Sequence, residues 1–398
     1  PRLVIDPPPQ PLSSVREAKL TISLGESGLE DLRLYQNGTP VAVDLEAGRR
    51  RVEVPVRLRK GTNRFYAMAT RPGSRAFDGR SNVVEVRYEG DEAAGRVHGL
   101  ALGVSRYRQE KRSLKFAASD AAELADFLRT HGVNAAREPG VWRVLADEEI
   151  TEEAVDGAFR EIRDQTAGRP EDTVVVFLAG HVDVLGGRFS LLLSRFRFPE
   201  KPGERLGPFD IDPDTVLTFA AIYRNLARLS ALQRLVIVDA CQSEAIFDDA
   251  AVGRIRESLD SGAYRSRTAY FLAARRGEPA YESPALEHGL LTYVLLKGMG
   301  HRRLKPVDEV TIFQALPTAD RNGDGLVTTD ELRWFTDATL PPLAAKLPTL
   351  LQRSGAGGRP LPERPNEAIG QAPRLQGMEV SFPLVEVPRD ASEVEAGP

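Results

Sequence analysis

Two unbroken apolar segments in the middle of the chain constrain its fold most. Residues 173–179 and 235–239 are almost entirely Val, Ile, Leu, Phe and Ala, with no polar alternation. A strand that is apolar on both faces must be covered on both, as in a parallel sheet between two layers of helices. Further strands are predicted at 98–105, 141–145, 189–194 and 268–273, and helices at 119–131, 151–165, 219–230 and 289–297. From about residue 97 we therefore expect an α/β sandwich with a mostly parallel sheet and helices on both faces.

Residues 1–90 have a different pattern. Short alternating segments are broken by Gly and Pro, and Asn37-Gly38 is a strong hairpin signal. This predicts a small all-β sandwich, similar to the immunoglobulin-like modules that precede enzyme domains in many bacterial proteins. Residues 91–96 are predicted to be a linker. No group of His, Asp or Glu stands out in this first domain, so a spacer or docking role is expected.

Composition excludes several classes of function. The formal net charge is only −4, from 53 basic and 57 acidic residues, and no basic block predicts a nucleic-acid partner. No apolar run approaches the roughly 18 residues of a membrane span. One cysteine cannot form an internal disulfide, which is typical of a reducing compartment and predicts a cytoplasmic protein. The chain begins at Pro1, as expected for a processed or partial chain.

The lone cysteine and one histidine stand at equivalent places in the predicted sheet. Cys241 follows the strand at 235–239, and His181 follows the strand at 173–179. Active residues collect at the carboxyl ends of parallel strands. A thiol beside an imidazole is a nucleophile with its base, and the backbone N–H groups near Gly180 and of Cys241 are candidate oxyanion donors.

Residues from about 97 to 385 resemble the caspase superfamily (peptidase family C14) in its bacterial metacaspase-like branch. His181 precedes Cys241 by 60 residues, close to the spacing of about 50 seen in caspases. Val182 stands where the family usually has Gly, and Gln242 where metacaspase-like members more often have His. The segments that carry the resemblance are 99–107, 114–121, 177–181, 236–243, 269–274 and 289–292.

The resemblance implies a cysteine endopeptidase that acts on protein substrates without a cofactor for its chemistry. It further implies a role in bacterial stress, regulated cell death or phage defence. An upstream activating protease, or a regulatory complex formed through the β-sandwich, would be its partner. Two alternatives remain open. One is a catalytically silent caspase-like scaffold, and the other is a non-peptidase thiol hydrolase on a similar sheet.

Substrate preference also follows from the resemblance. Metacaspase-like proteins hold Arg or Lys in an acidic pocket, whose two carboxylates correspond to Asp120 and Asp239. Asp239 precedes Cys241 by two residues, so the two side chains project to the same side of the strand. Cleavage after Arg, and less often Lys, is predicted. For Asp120 the alternative is a favourable charge at a helix N-terminus.

The segment between the cysteine strand and the next strand corresponds to a processing loop in family members. Residues 242–267 contain four arginines that would suit an enzyme cutting after Arg: Arg254, Arg256, Arg265 and Arg267. The alternative is an ordinary charged surface loop.

Residues 320–331 match the twelve-residue EF-hand loop throughout. The predicted calcium ligands are Asp320, Asn322, Asp324, the Leu326 carbonyl, Thr328 through water, and Glu331. Pro317 stands just before the loop, where an entering helix would lie. The alternative is therefore a Gly/Asp-rich turn that leads into the next helix. The caspase-like domain is expected to end at 385 and residues 386–398 to form a disordered tail.

Overall fold

The computed structural model describes most of the chain from residue 95 onward and much of the N-terminal region. The described residues are 2–7, 12–13, 15–26, 28–29, 31–36, 39–41, 43, 48–58, 61–71, 79–90, 95–200, 210–231, 233–241, 267–274, 279–307, 312–353, 374–376 and 381–387. Within these ranges, no helix combines the length and the apolarity needed to cross a membrane.

The N-terminal region folds into two β-sheets around one apolar core. The core takes alternate residues from both sheets, including Ile22, Val54, Phe65 and Ala67. This alternation is why the sequence predicts strands with one buried face. The strands are β1 (Leu3–Ile5), β2 (Leu12–Ser13), β3 (Glu17–Leu24), β4 (Asp31–Gln36), β5 (Thr39–Val41), β6 (Arg51–Arg57), β7 (Gly61–Thr70), β8 (Gly79–Arg80) and β9 (Val84–Tyr88).

One sheet has the order β1-β3-β6, and the other has the order β2-β9-β7-β4-β5 with β8 beside β7. Gln36 lies opposite Thr39 in the antiparallel β4–β5 pair. The predicted Asn37-Gly38 turn connects these two strands but lies outside the described residues. The immunoglobulin-like character of this region and the domain boundaries stay predictions.

Strands and helices alternate from residue 97 onward. The strands are β10 (Val97–Gly103), β11 (Trp142–Ala146), β12 (Thr173–Ala179), β13 (Val182–Leu185), β14 (Arg188–Leu192), β15 (Val216–Thr218), β16 (Gln233–Asp239), β17 (Arg267–Leu272), β18 (Glu282–Ser283), β19 (His288–Gly289), β20 (Leu326–Thr328), β21 (Arg374–Gln376) and β22 (Pro383–Glu386). The helices are α1 (Ala117–His131), α2 (Glu152–Thr166), α3 (Phe219–Leu226), α4 (Leu290–Gly298), α5 (Ile312–Ala315) and α6 (Thr329–Arg353).

The central sheet has the strand order β11-β10-β12-β16-β17-β21. Its first five strands are parallel and β21 is antiparallel to β17. Successive residues of β12 point to opposite faces. Val175 and Phe177 pack with α1, α4 and α6, whereas Val174 and Val176 pack with α2 and α3. Both faces are covered, so the predicted α/β sandwich is confirmed.

The strand predicted at 189–194 lies outside the central sheet, which corrects its place in the expected pattern. It corresponds to β14, which forms a separate antiparallel sheet with β13 and β15. Gly186 and Gly187 connect β13 to β14 with φ of +57° and +76°. Two glycines with positive φ make a tight hairpin, so the chain reverses at once and cannot cross over to a parallel strand.

The chain after α6 returns to the domain core. β22 pairs antiparallel with β20, and Leu384 and Val385 are buried. The Val387 N–H donates to the Gly325 carbonyl at 2.9 Å. Residues 386 and 387 are therefore ordered, two positions beyond the predicted end of the domain at 385. The rest of the predicted tail lies outside the described residues.

Candidate active site

His181 and Cys241 lie side by side at the carboxyl edge of the central sheet. β12 and β16 are adjacent parallel strands, and their last register pair joins Ala179 to Asp239. His181 and Cys241 each come two residues after this pair, so the sheet register alone brings them together. Both side chains are partly exposed and line one cleft of about 440 Å³.

The His181 ring is oriented by a main-chain acceptor. Its Nε2 lies 2.8 Å from the Arg112 carbonyl oxygen. A carbonyl oxygen only accepts hydrogen bonds, so Nε2 carries a proton and Nδ1 is the nitrogen that can take a second one. The ring also packs against Tyr107 and Phe198, at centroid distances of 4.9 Å and 5.5 Å.

Gly180 gives the chain the conformation that places His181. Its φ is +150°, and a Cβ there would lie 3.1 Å from Leu191 Cδ1 and 3.2 Å from the Tyr107 hydroxyl oxygen. That hydroxyl accepts from the His181 N–H at 2.9 Å. Burial raises the pKa of Tyr107, so the hydroxyl keeps its proton. The His181 N–H is therefore occupied, and the Gly180 and Cys241 amides stay the predicted oxyanion donors.

The thiol of Cys241 touches the segment that precedes β18. The Ala280 N–H donates to the Cys241 sulfur at 3.3 Å, and the sulfur lies 3.6 Å from the Ala280 carbonyl oxygen. This main chain covers one side of the nucleophile. A substrate carbonyl must therefore approach the sulfur from the open part of the cleft.

Asp120 lies in the first turn of α1 and is buried, with 2% of its surface exposed. Its carboxylate contacts His288 Nδ1 at 2.6 Å and accepts from the Gly289 N–H at 2.8 Å. Burial raises the pKa of Asp120 to about 6, against the opposing effect of His288. Burial lowers the pKa of His288, but the hydrogen bond to Asp120 and the negative charges of Asp120, Glu123 and Glu287 together outweigh burial and raise this pKa.

Asp239, the last residue of β16, faces α4. It accepts from the Thr292 hydroxyl at 2.6 Å and from the Thr292 N–H at 3.1 Å. Burial, and next the negative charge of Asp120, raise the pKa of Asp239 to about 7. Within the described residues no lysine or arginine pairs with either carboxylate. The cleft therefore contains two buried acids whose ionised forms would be stabilised by an incoming cation.

Glu282 adds a third carboxylate to the same cleft. It accepts from the N–H groups of Lys115 and Phe116, at 2.9 Å and 3.1 Å, just before α1. An acid at this place also favours the N-terminal end of the helix. The roles of Glu282, His288 and the Arg112 carbonyl were not predicted from the sequence, because they depend on contacts between distant segments.

The predicted calcium loop is ordered by its own hydrogen bonds. Asp320 accepts from the N–H groups of Gly323 and Gly325 at 2.8 Å and 3.0 Å, and Glu331 accepts from the Thr328 N–H at 2.9 Å. These oxygens match the chemistry that calcium prefers. In the described part of the chain, however, no three His, Cys, Asp or Glu side chains are grouped closely enough to hold a metal. Calcium binding stays a prediction.

Most of the predicted processing loop lies outside the described residues. Arg254, Arg256 and Arg265 lie outside the described residues, and Arg267 is the first residue of β17.

The caspase-domain model of peptidase family C14 matches residues 96–316. This is more than half of the chain, so the protein belongs to the caspase-domain family, and membership of the caspase superfamily is confirmed. Among curated proteins, none matches this chain.

Two solved structures show weak likeness. The fibronectin(III)-like modules of Clostridium thermocellum CbhA are 14% identical, with a TM-score of 0.19, over 23% of this chain and 99% of theirs. Protein YXIM from Bacillus subtilis is 11% identical, with a TM-score of 0.20, over 63% of this chain and 64% of its own. Both TM-scores are too low to bear on fold or function.

Proposed function

We propose that the protein is a cysteine endopeptidase that cleaves polypeptides after Arg, and less often Lys. The observation that carries this proposal is the juxtaposition, in one cleft, of the thiol–imidazole pair with Asp120 and Asp239. Membership of the caspase-domain family supports the peptidase class. The preference for a basic residue rests on the buried acids.

The reaction would follow from the positions of the side chains. His181 Nδ1 takes the thiol proton, and the Cys241 sulfur attacks the carbonyl carbon of the scissile bond. The Gly180 and Cys241 N–H groups donate to the resulting oxyanion. His181 then gives its proton to the leaving amine, and a thioester to Cys241 remains. Water, activated by His181, hydrolyses the thioester and restores the thiol.

The acidic side of the cleft would hold the basic side chain. Asp239 ends the strand that leads to Cys241, so a cation beside it belongs to the residue whose carbonyl is attacked. A charge-assisted hydrogen bond of this kind contributes about 1.5–3 kcal/mol. Glu282 lines the same cleft and would add to the negative potential there.

A panel of fluorogenic peptides that differ only in the residue before the cleaved bond tests this proposal. Arg peptides should be cleaved fastest, Lys peptides more slowly and Asp peptides not measurably. Cys241→Ala and His181→Ala should each remove all cleavage. Preference for Asp would contradict the specificity. A folded protein that cleaves nothing, and whose Cys241 is not labelled by an electrophilic Arg peptide, would instead support the silent scaffold.

Self-processing is a separate part of the proposal. Arg267 pairs with Gln233 in the central sheet and is therefore not a loop residue. If the enzyme cuts its own loop at Arg254, Arg256 or Arg265, purified wild-type protein should yield new N-termini there and Cys241→Ala should not. Cleavage of both proteins in cells would point to an outside protease.

A further inference from the structure

A second groove lies between α2 and α3 and shares no residue with the candidate active site. It has a volume of about 360 Å³. Three exposed arginines, Arg160, Arg163 and Arg228, line it together with the buried side chains of Phe159 and Leu229. Arg160 and Arg163 are three residues apart on α2 and so face the same side of that helix. Arg228 follows the end of α3.

The acids near this groove are already engaged by other groups. Glu161 pairs with Arg143, with nitrogen–oxygen distances of 2.6 Å and 2.7 Å. Asp156, at the groove itself, accepts from the Asn225 amide at 2.7 Å. Asp164 is the exception, since it forms a long ion pair with the groove residue Arg163 itself, with 3.7 Å between Nε and Oδ1.

Arg160 and Arg228 have no carboxylate within 4.0 Å in the parts of the chain that the structure describes. Other exposed arginines of this domain, such as Arg106 and Arg129, pair with Asp147 and Asp126. Three like charges around one small groove repel each other. Asp156 in the groove and Asp164 beside Arg163 offset part of this charge, and among the described residues the three arginines leave the groove with a net positive charge.

A fourth cation lies behind the groove. Arg234 is buried, with 2% of its surface exposed, and its Nη2 donates to the Leu229 carbonyl at 3.1 Å. Its Nε has no hydrogen-bond partner. No carboxylate in the described ranges pairs with this buried guanidinium, so it adds to the positive potential on the groove side of Leu229.

We propose that the groove defined by Arg160, Arg163 and Arg228 binds a small anion that carries one or two phosphate groups. Guanidinium groups offer parallel N–H donors that match pairs of phosphate oxygens. Arginines from two different elements can hold such an anion from both sides. The Asp156 carboxylate repels the anion at one end of the groove. Three arginines outnumber this single acid, and the Asn225 amide donates to one of the Asp156 oxygens.

Calorimetric titration of the full chain with pyrophosphate and with orthophosphate, at constant ionic strength set by NaCl, tests this site. We expect saturable binding to one site, tighter for pyrophosphate if two phosphate groups are held. Arg160→Gln combined with Arg228→Gln should weaken binding at least ~10-fold for each lost contact. Arg129→Gln, an exposed and paired arginine on α1, is the matched control and should bind as wild type does.

Thermal unfolding of each variant verifies that the variant is folded. If the double variant is not folded, the single variants Arg160→Gln and Arg228→Gln are titrated in its place. Heats of wild type no larger than those of dilution would overturn the proposal. So would equal affinity in the groove variants and in Arg129→Gln.

Discussion

Asp239 departs most from the behaviour of a free side chain, because it is buried beside a second acid, Asp120, and among the described residues no cationic side chain pairs with it, whereas Asp120 contacts the His288 imidazole. Burial and the charge of Asp120 raise its pKa to about 7, and burial raises the pKa of Asp120 to about 6. Both carboxyls are therefore mostly neutral in mildly acidic solution and ionise near neutrality. The ionisation of these two carboxyls therefore sets how the charge of the cleft changes with pH.

Cleavage of an Arg peptide should depend on pH through these two acids. As pH rises from about 5 to about 8 the pocket gains up to two negative charges, so kcat/KM should rise by about 10-fold or more. Alkylation of Cys241 by iodoacetamide over the same range is the control, since it reports on the thiol and not on the acidic pocket. If kcat/KM and alkylation follow one common profile, the two acids do not control substrate binding.

Asp239→Asn should stabilise the fold at high pH while removing Arg cleavage. The folded-state pKa of about 7 lies above the ordinary 3.8. The stabilisation that the protonated acid provides is therefore present below pH 3.8 and lost as pH rises through 7. The variant should be more stable by about 1–3 kcal/mol at pH 8 and unchanged near pH 4.

Denaturant unfolding at both pH values measures the effect of Asp239→Asn. Asp164→Asn, an exposed acid on α2, is the matched control and should change little. A loss of stability at pH 8 in Asp239→Asn would show that the ionised carboxylate supports the fold.

Individual site residues differ in how far sequence predicts them. His181 and Cys241 follow recognisable apolar strands, so their proximity is predictable from register. The Arg112 carbonyl that holds the imidazole could not be found this way, because every residue type offers the same acceptor. Glu282 is 162 positions from Asp120 in sequence, and only packing makes the two share a cleft.

At the element scale, Gly289 allows α1, β16 and α4 to meet. A Cβ at Gly289 would lie 2.6 Å from Asp239 Oδ2 and 3.2 Å from Asp120 Oδ2. Because Gly289 has no side chain, the carboxylates of Asp239 and Asp120 can both lie against the main chain at the start of α4. In the sequence, Gly289 stands at a predicted helix start, and nothing there shows that a side chain at this position would collide with two carboxylates.

Gly289→Ala should displace the Asp239 carboxylate from its bonds to Thr292 and so disturb the acidic pocket. We expect KM for Arg peptides to rise by about 10-fold, equivalent to about 1.4 kcal/mol, with a smaller change in kcat. Gly157→Ala on α2 is the control, since a Cβ there meets nothing within 4 Å, and it should be neutral or slightly stabilising. Equal kinetics in the two variants would contradict this role for Gly289.

The loop at 320–331 gives a second test at this scale. If calcium binds, it should raise the unfolding midpoint of wild type by several degrees, because a ligand that binds only the folded state stabilises it. Glu331→Gln should lose this response, whereas Asp330→Asn, outside the predicted ligand set, should keep it. An unchanged midpoint in wild type would favour the alternative, a turn that leads into α6.

Strands and helices were predictable where a single pattern of apolar residues runs through the whole segment. Continuous apolar strands require two covered faces, so the central sheet followed from sequence. The strands of the β13–β14 hairpin have only four and five residues. β13 begins directly after the histidine motif, and the Gly186-Gly187 turn follows it. The resemblance of that motif to the family's catalytic strand did not indicate where the following strand would pair.

At the scale of the whole molecule, the N-terminal region contacts the edge of the central sheet opposite the cleft. Glu171 precedes β12 and is buried, with its side chain 3% exposed. Its carboxylate lies 3.2 Å from Arg16 and 3.9 Å from Arg57, both in the N-terminal strand region. Arg169, which belongs to the same part of the chain as Glu171, lies 3.9 Å from the same carboxylate. This cluster joins the two parts of the chain and leaves the active-site edge open.

Glu171→Gln should loosen this contact, because it leaves two arginines facing a neutral group. We expect a loss of about 1–3 kcal/mol and separate unfolding of the two parts in calorimetry. Proteolysis within 91–96 should also become faster. Glu138→Gln removes an acid that pairs with Arg169 but faces no N-terminal arginine, so it should keep a single transition. The same splitting in both variants would refute the role of Glu171.

The layer architecture, the strand ends that carry His181 and Cys241, and the caspase-like family are all predictable from the sequence. They depend on local apolar pattern and on motifs within single strands. The folded structure was needed to find the partners of Asp120 and Asp239, the acceptor for His181, the third acid Glu282 and the arginine groove. Each depends on groups from distant segments that meet only after the helices pack on the sheet, and their burial and charge exist only in that packed state.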